Sequence, residues 1–146
     1  MPDALTQTFV SRPCTADDLP WILSLAHRRY TNTPDPGTSL AWLAKVILSP
    51  QWALAIRSEG AFLAALLEAP PWWPNERECH VAVLVADKGC HWQAVRLLRD
   101  SIAWARGKGC CRWWLSSETY YDFEMLARRV GAKPRVMKYE IALDGE

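Results

Sequence analysis

Glu78 to Ala86 is an apolar run of strand length that passes through Asp87-Lys88-Gly89 into the longest helical stripe of the chain. Val95, Leu98, Ile102 and Ala105 recur at helical spacing between about His91 and Arg106, and Gly107-Lys108-Gly109 ends the pattern. A second apolar segment, Cys110 to Leu115, begins at once and reads as another strand. A strand, a long amphipathic helix and a strand joined this closely call for a sheet with a helix packed on its face. Strict alternation along the first strand puts Val81, Val83 and Val85 on one face and Glu78, His80, Ala82 and Leu84 on the other.

The rest of the chain supplies more of the same layers. Thr8 to Arg12 reads as a short first strand, and Thr15-Ala16-Asp17-Asp18 as the cap and acidic first turn of a helix. Leu19, Ile22, Leu23, Ala26 and Tyr30 give that helix its apolar side, and Pro20 is tolerable in its first turn. Thr31 to Gly37 is a loop by its turn residues, and a second helix spans about Thr38 to Leu48, stopped by Ser49-Pro50. Strands follow near Trp52–Arg57 and Ala61–Leu67, joined by Ser58-Glu59-Gly60, and Ala69 to Asn75 is an irregular loop. Phe123, Leu126, Ala127 and Val130 mark a short helix closed by Gly131, and Val136 to Leu143 is the last strand. The order is β-α-α-β-β-β-α-β-α-β: an α/β chain with a mixed central sheet flanked by helices, expected to form one domain over residues 1–146.

Charge narrows the function classes. Seventeen basic and sixteen acidic residues leave a net charge of +1, which argues against a nucleic-acid or membrane-surface binder. No apolar run has the length of a membrane span, and Met1-Pro2-Asp3 does not open a secretory signal. The five cysteines are odd in number and lack CxxC spacing, so reduced thiols in a cytoplasmic protein are expected. Cys79-His80 and Cys90-His91 match no zinc spacing, and neighbours on a strand point to opposite faces, so no metal is expected. The nine tryptophans are unusual for this length; at least six are expected to be core or rim aromatics.

This order of elements resembles the GNAT superfamily of acyl-CoA-dependent N-acyltransferases from Phe9 to Leu143. Arg12 to Leu19 is similar to the family's entry into its first helix, and Val95 to Gly109 to the long helix after its fourth strand. Leu126-Ala127-Arg128-Arg129-Val130-Gly131-Ala132 is similar to the late Leu-Tyr-Glu-Lys-x-Gly-Phe stretch. The family's cofactor loop, Arg/Gln-x-x-Gly-x-Gly/Ala, falls on Gly89, Trp92 and Ala94, so only the last small residue is kept. The late Tyr and Phe fall on Ala127 and Ala132.

The resemblance implies a thioester co-substrate, acetyl-CoA, and an amine acceptor. The α-helix beginning near His91 offers unpaired backbone N–H groups for a pyrophosphate, with Lys88 and His91 as further donors. The binding segment is then Lys88, Gly89, Cys90, His91, Trp92, Gln93 and Ala94, with Leu84, Val85 and Ala86 running along the pantetheine arm where the family's fourth strand splays from its fifth. Glu78 and His80, two residues apart on one strand face, are the candidate bases for an ammonium proton. Tyr120 is the candidate acid for the leaving thiolate, and Trp72, Trp73 and Tyr121 are candidate walls of the acceptor site. Trp92 is expected to turn its indole outward, over an adenine or ribose.

The leading expectation is an N-acetyltransferase acting on a small-molecule or protein amine, and a homodimer is an allowed assembly. Two other readings keep the fold. One is a catalytically degenerate module that binds CoA or a partner; the other is a phage-type transferase acting on nucleic acid, which the charge balance supports little.

Overall fold

The computed structural model describes residues 11–30, 35–69, 72–73, 75–116, 123–134, 141 and 143. Strand β1 is Arg12–Pro13, followed by one turn of 3-10 helix at Ala16–Asp18 and helix α1, Leu19–Arg29. Helix α2 is Pro36–Ile47, then come strands β2, Ala53–Arg57, β3, Ala61–Glu68, and β4, Glu78–Ala86. Helix α3 is His91–Gly107, β5 is Arg112–Trp114 and α4 is Phe123–Val130. The sheet order is β1-β2-β3-β4-β5, antiparallel except for the parallel pair β4 and β5 that α3 connects.

Boundaries differ from expectation for local reasons. Helix α2 starts before Thr38 because Asp35 caps it, its carboxylate accepting the Thr38 N–H at 2.9 Å with Pro36 in the first turn. Asp35-Pro36 therefore opens the helix and does not belong to the preceding loop. Strand β5 is shorter than Cys110–Leu115. Residues 8–10 of the expected first strand, Thr8–Arg12, and most of the last strand, Val136–Leu143, lie outside the described residues.

Two apolar layers hold the sheet. On one face Ile22 and Leu25 of α1 and Leu43 and Val46 of α2 pack on Ala53, Ala55, Phe62, Ala64 and Val85. On the other, Val95, Leu97, Leu98 and Ala105 of α3 and Leu126 of α4 pack on Leu63, Ala65, Val81 and Leu84. Alanines in the strands let the helices approach closely, while each buried Leu or Phe contributes about 1.5–3 kcal/mol. No tryptophan is fully buried: Trp52, Trp72, Trp73 and Trp92 are exposed, and the remaining five are half-buried, fewer than the six expected at core or rim. One of those five, Trp113, ties β5 to α3 through its indole N–H, which donates to Ser101 Oγ at 2.9 Å.

Strand β4 does not alternate as the sequence suggests. Ala64 of β3 pairs with Val83, but Ala65 pairs with Val81, so Ala82 is an extra residue in β4. The bulge shifts the period by one. Cys79, Val81, Leu84 and Ala86 therefore join the α3 layer, whereas Val83 and Val85 pack with α1 and α2. Val81 does not share a face with Val83 and Val85, and Leu84 does not share one with Glu78 and His80. His80, Val83 and Val85 lie opposite Leu66, Ala64 and Phe62 of β3, which places all three on the α1–α2 face.

Candidate active site

The parallel ladder between β4 and β5 is short. Glu78 pairs with Arg112, Cys79 with Trp113 and His80 with Trp114, and there β5 ends. Among the described residues, Ala82–Ala86 has no strand partner on the β5 side. This edge carries backbone donors and acceptors that an extended chain with amide groups can pair with. The side chains of Leu84 and Ala86 are buried against α3, so these two can meet a ligand only through their backbone, whereas that of Val85 is turned to the α1–α2 face.

Glu78 and His80 stand where the two strands part. Glu78 Oε2 accepts from Trp114 Nε1 at 3.0 Å and from Arg112 at 3.2 Å. Burial alone would raise the Glu78 pKa, but these two bonds, with His80 and Arg112 nearby, outweigh it and hold the carboxyl below its ordinary value. His80 Nε2 is itself buried and has no hydrogen-bond partner among the described residues. It lies 3.7 Å from Glu78 Oε1 and 3.6 Å from Glu68 Oε2, just beyond bonding reach of both. The ring stacks on Trp114 with centroids 6.2 Å apart. The Nε2 nitrogen is covered, although the side chain as a whole is 37% exposed.

Past the bulge, β4 runs into the N-terminus of α3. Gly89, at φ 78°, makes the turn, and the N-cap residue Cys90 accepts no backbone N–H of the helix on its side chain. A cleft of about 600 Å³ opens beside it, on the side of the β2–β3 turn, with Arg28, Arg29 and Lys88 in its wall as well as Glu59 and Asp87. Arg28 crosses it to Asp87 at 2.9 Å, and this bond draws the Asp87 carboxyl below its usual range. An uncapped helix start with three cations nearby is chemistry that suits a phosphate.

The proposed cofactor residues play unequal parts. Gln93 points inward: its Oε1 accepts from Ser58 Oγ and from the Gly60 N–H, each at 2.6 Å. Its side chain braces the β2–β3 turn against α3. Ala94 is fully buried, while Lys88, His91 and Trp92 are accessible. Trp92 is 42% exposed and turned toward α4, where the Arg129 guanidinium lies 4.6 Å above its ring. Cys79 is buried, which pushes its thiol up to about 12 and keeps it protonated. Trp72 and Trp73 stand exposed and line neither this cleft nor the apolar one described below. Tyr120 and Tyr121 lie outside the described residues.

Sequence reasoning missed Glu68, Arg112 and Trp114 around the Glu78–His80 pair, and Arg28, Arg29 and Arg129 around the helix start. All six reach the site across strands or between helices. Only a correct strand register could have brought the first three forward.

No protein-family model and no curated protein matches the sequence. Solved structures do. A Trypanosoma brucei acetyltransferase superposes with a TM-score of 0.73 at 16% identity, covering 92% of this chain and 99% of the other. The chain has the GNAT fold. The aminoglycoside 6'-N-acetyltransferase AAC(6')-IG from Acinetobacter haemolyticus shares it with a TM-score of 0.68 at 15% identity, over 92% and 99% of the two chains. AAC(6')-Iy, solved in complex with the bisubstrate analogue CoA-S-monomethyl-acetylneamine, does so with a TM-score of 0.71 at 14% identity, over 91% and 97%. A GNAT fold accounts for the mixed sheet and for a strand pair that parts beside a helix start.

Proposed function

We propose that the protein transfers an acetyl group from acetyl-CoA to a primary amine. The observation that carries this reading is the Glu78–His80 pair at the point where β4 parts from β5. The open edge at Ala82–Ala86 would pair with the amides of the pantetheine arm, and the α3 N-terminus with Lys88 would face the pyrophosphate. Neighbours that share the fold are acetyltransferases, one of them holding a CoA conjugate, which supports the choice of co-substrate.

An amine is protonated at neutral pH and cannot attack until it loses a proton. Glu78 is held as a carboxylate and the partly exposed His80 side chain lies beside it, so the pair can take that proton directly or through water. The amine nitrogen then forms a C–N bond to the thioester carbonyl carbon as the C–S bond breaks. As the intermediate collapses the nitrogen releases its second proton and the thiolate takes one up, for which Tyr120 is the candidate donor on sequence grounds. The five free cysteines, with Cys111 exposed, support a reducing, cytoplasmic setting.

Two measurements test this. Acetyl-CoA at 100 times its dissociation constant should stabilise the protein by about 2.7 kcal/mol. Glu78→Gln or His80→Gln should cut turnover by roughly 10²–10⁴ while that stabilisation persists. No stabilisation at millimolar acetyl-CoA would refute the reading, and binding without turnover on any amine would favour a catalytically degenerate binding module.

A further inference from the structure

A second cleft of about 300 Å³ lies between α1, α2 and the sheet, and its chemistry differs from that of the helix start. Its wall includes Leu23, Tyr30, Trp42, Phe62, Val83 and Val85, and among the described residues no charged side chain contributes to it. The bulge at Ala82 decides what this cleft can do. Without it, Val83 and Val85 would face α3, away from His80. With it, they share the α1–α2 face with His80 and Glu78. The β3 partners of His80 and Val83 are Leu66 and Ala64, two residues apart, so the imidazole and the cleft floor are separated by roughly 7 Å along the strand.

From this juxtaposition we infer that the acceptor is a primary amine carrying one compact apolar group, aromatic or branched, that seats between Trp42 and Val83 while its nitrogen reaches His80. The inference rests on the acetyl-transfer reading and narrows it to a substrate class. A cavity of about 150 Å³ admits a benzene ring, so a cleft of twice that size takes a phenyl or indole group with a short arm. A polyamine or aminoglycoside would have to bury further ammonium groups against Leu23, Phe62 and Val85, where the described lining offers the hydroxyls of Tyr30, Thr38 and Ser39 but no carboxylate. The chemistry is the balanced exchange already described: the amine nitrogen gains the acetyl carbon, the sulfur loses it, and the ammonium proton passes to the Glu78–His80 pair.

The test measures release of CoA thiol from acetyl-CoA with 2-phenylethylamine, ethylamine, tobramycin and a lysine-containing peptide. It is paired with calorimetry of 2-phenylethylamine binding to the protein alone. The expected result is a kcat/KM for 2-phenylethylamine at least tenfold above the other three, and a Trp42→Ala variant that loses about tenfold through KM for 2-phenylethylamine and clearly less for ethylamine. Val83→Thr, which keeps the volume and adds a hydroxyl to the cleft floor, should act the same way and stands in if Trp42→Ala does not fold. Preference for tobramycin or the peptide, or equal losses on both small amines, overturns the inference and leaves acetyl transfer standing. If no amine is acetylated, the transfer reading fails and calorimetry decides the cleft alone. Binding of 2-phenylethylamine that Val83→Thr weakens supports it, and absence of binding overturns it.

Discussion

The indole N–H of Trp114 donates to Glu78 Oε2 at 3.0 Å, tying the last residue of β5 to the first residue of β4 just where the two strands stop pairing. The bond holds the carboxylate in its charged form and sets the spacing at the mouth of the splay. Arg112 adds a second donor to the same oxygen, so Glu78 is anchored from the strand that leaves it.

Trp114→Phe removes the donor and keeps the ring against His80. Glu78 has a folded pKa below its unfolded one, so its contribution to stability is full above the ordinary carboxylate range and fades as pH falls through the folded value. Losing a donor raises the folded value. The acidic limb of a kcat/KM profile should move to higher pH. Urea unfolding at neutral pH should show a loss of about 1–3 kcal/mol. An unmoved acidic limb would separate Glu78 from the titrating base.

Asp18 should dominate the acid sensitivity of the α1 end of the sheet. Hydrogen bonds from the Arg12 guanidinium, at 2.7 and 2.9 Å, outweigh burial and, with the Thr15 N–H and Arg57, hold its carboxyl far below the usual range. Arg57, which bonds Asp18 at 3.0 Å, also stacks on Trp21, 3.4 Å from the ring centroid. Asp18→Asn strands a largely buried guanidinium, at a cost of about 3–5 kcal/mol. Because the folded pKa is depressed, wild-type stability should fall as pH drops below about 4. The variant should show less of that fall in thermal melts taken between neutral and acid pH.

Gly60 and Gln93 form a second structural lock, between the β2–β3 turn and the start of α3. A Cβ at Gly60 would collide with Cys90 Sγ and come within 3.4 Å of Gln93 Oε1. Gly60→Ala should therefore cost about 1–3 kcal/mol by overpacking. Gln93→Leu leaves the buried Gly60 N–H without its acceptor, at a cost of about 1–3 kcal/mol. Equilibrium denaturation of each variant and of the pair should give losses that are not additive, since both disturb one contact.

The layers of this fold are legible in the sequence because the helices are amphipathic. Val95, Leu98 and Ala105 announce α3 by spacing alone, and the glycines at its exit supply the stop. The bulge at Ala82 is not legible. From Val81 to Ala86 every residue is apolar, and when both faces of a strand are buried the period of two carries no signal that would expose a slip. Glu78 and His80 stood out as polar residues opening that run. Glu68 did not, because it meets His80 only through the register of β3 against β4. Arg129 reaches Trp92 through the packing of α4 on α3, which no local pattern reports.

Trp92 provides the last test, because the position that the family resemblance assigns to glycine here holds a large ring. Its indole is turned toward α4 under Arg129, and 42% of the residue is exposed, so the helix start is not plugged. Cation–π contact at an exposed site contributes about 0.5–1 kcal/mol and fixes the ring's orientation. The free part of the ring is a platform for a flat heterocycle, and base–aromatic stacking contributes about 1–3 kcal/mol. Calorimetry should therefore show Trp92→Gly binding acetyl-CoA roughly 5- to 100-fold more weakly. Trp92→Phe should retain most of the affinity, and Arg129→Ala should lose a smaller part as the ring is released. The same variants titrated with pantetheine, which lacks the adenine, should bind alike. Tighter acetyl-CoA binding by Trp92→Gly would mean that the indole obstructs the phosphate site, and the degenerate-module reading would then replace the enzyme.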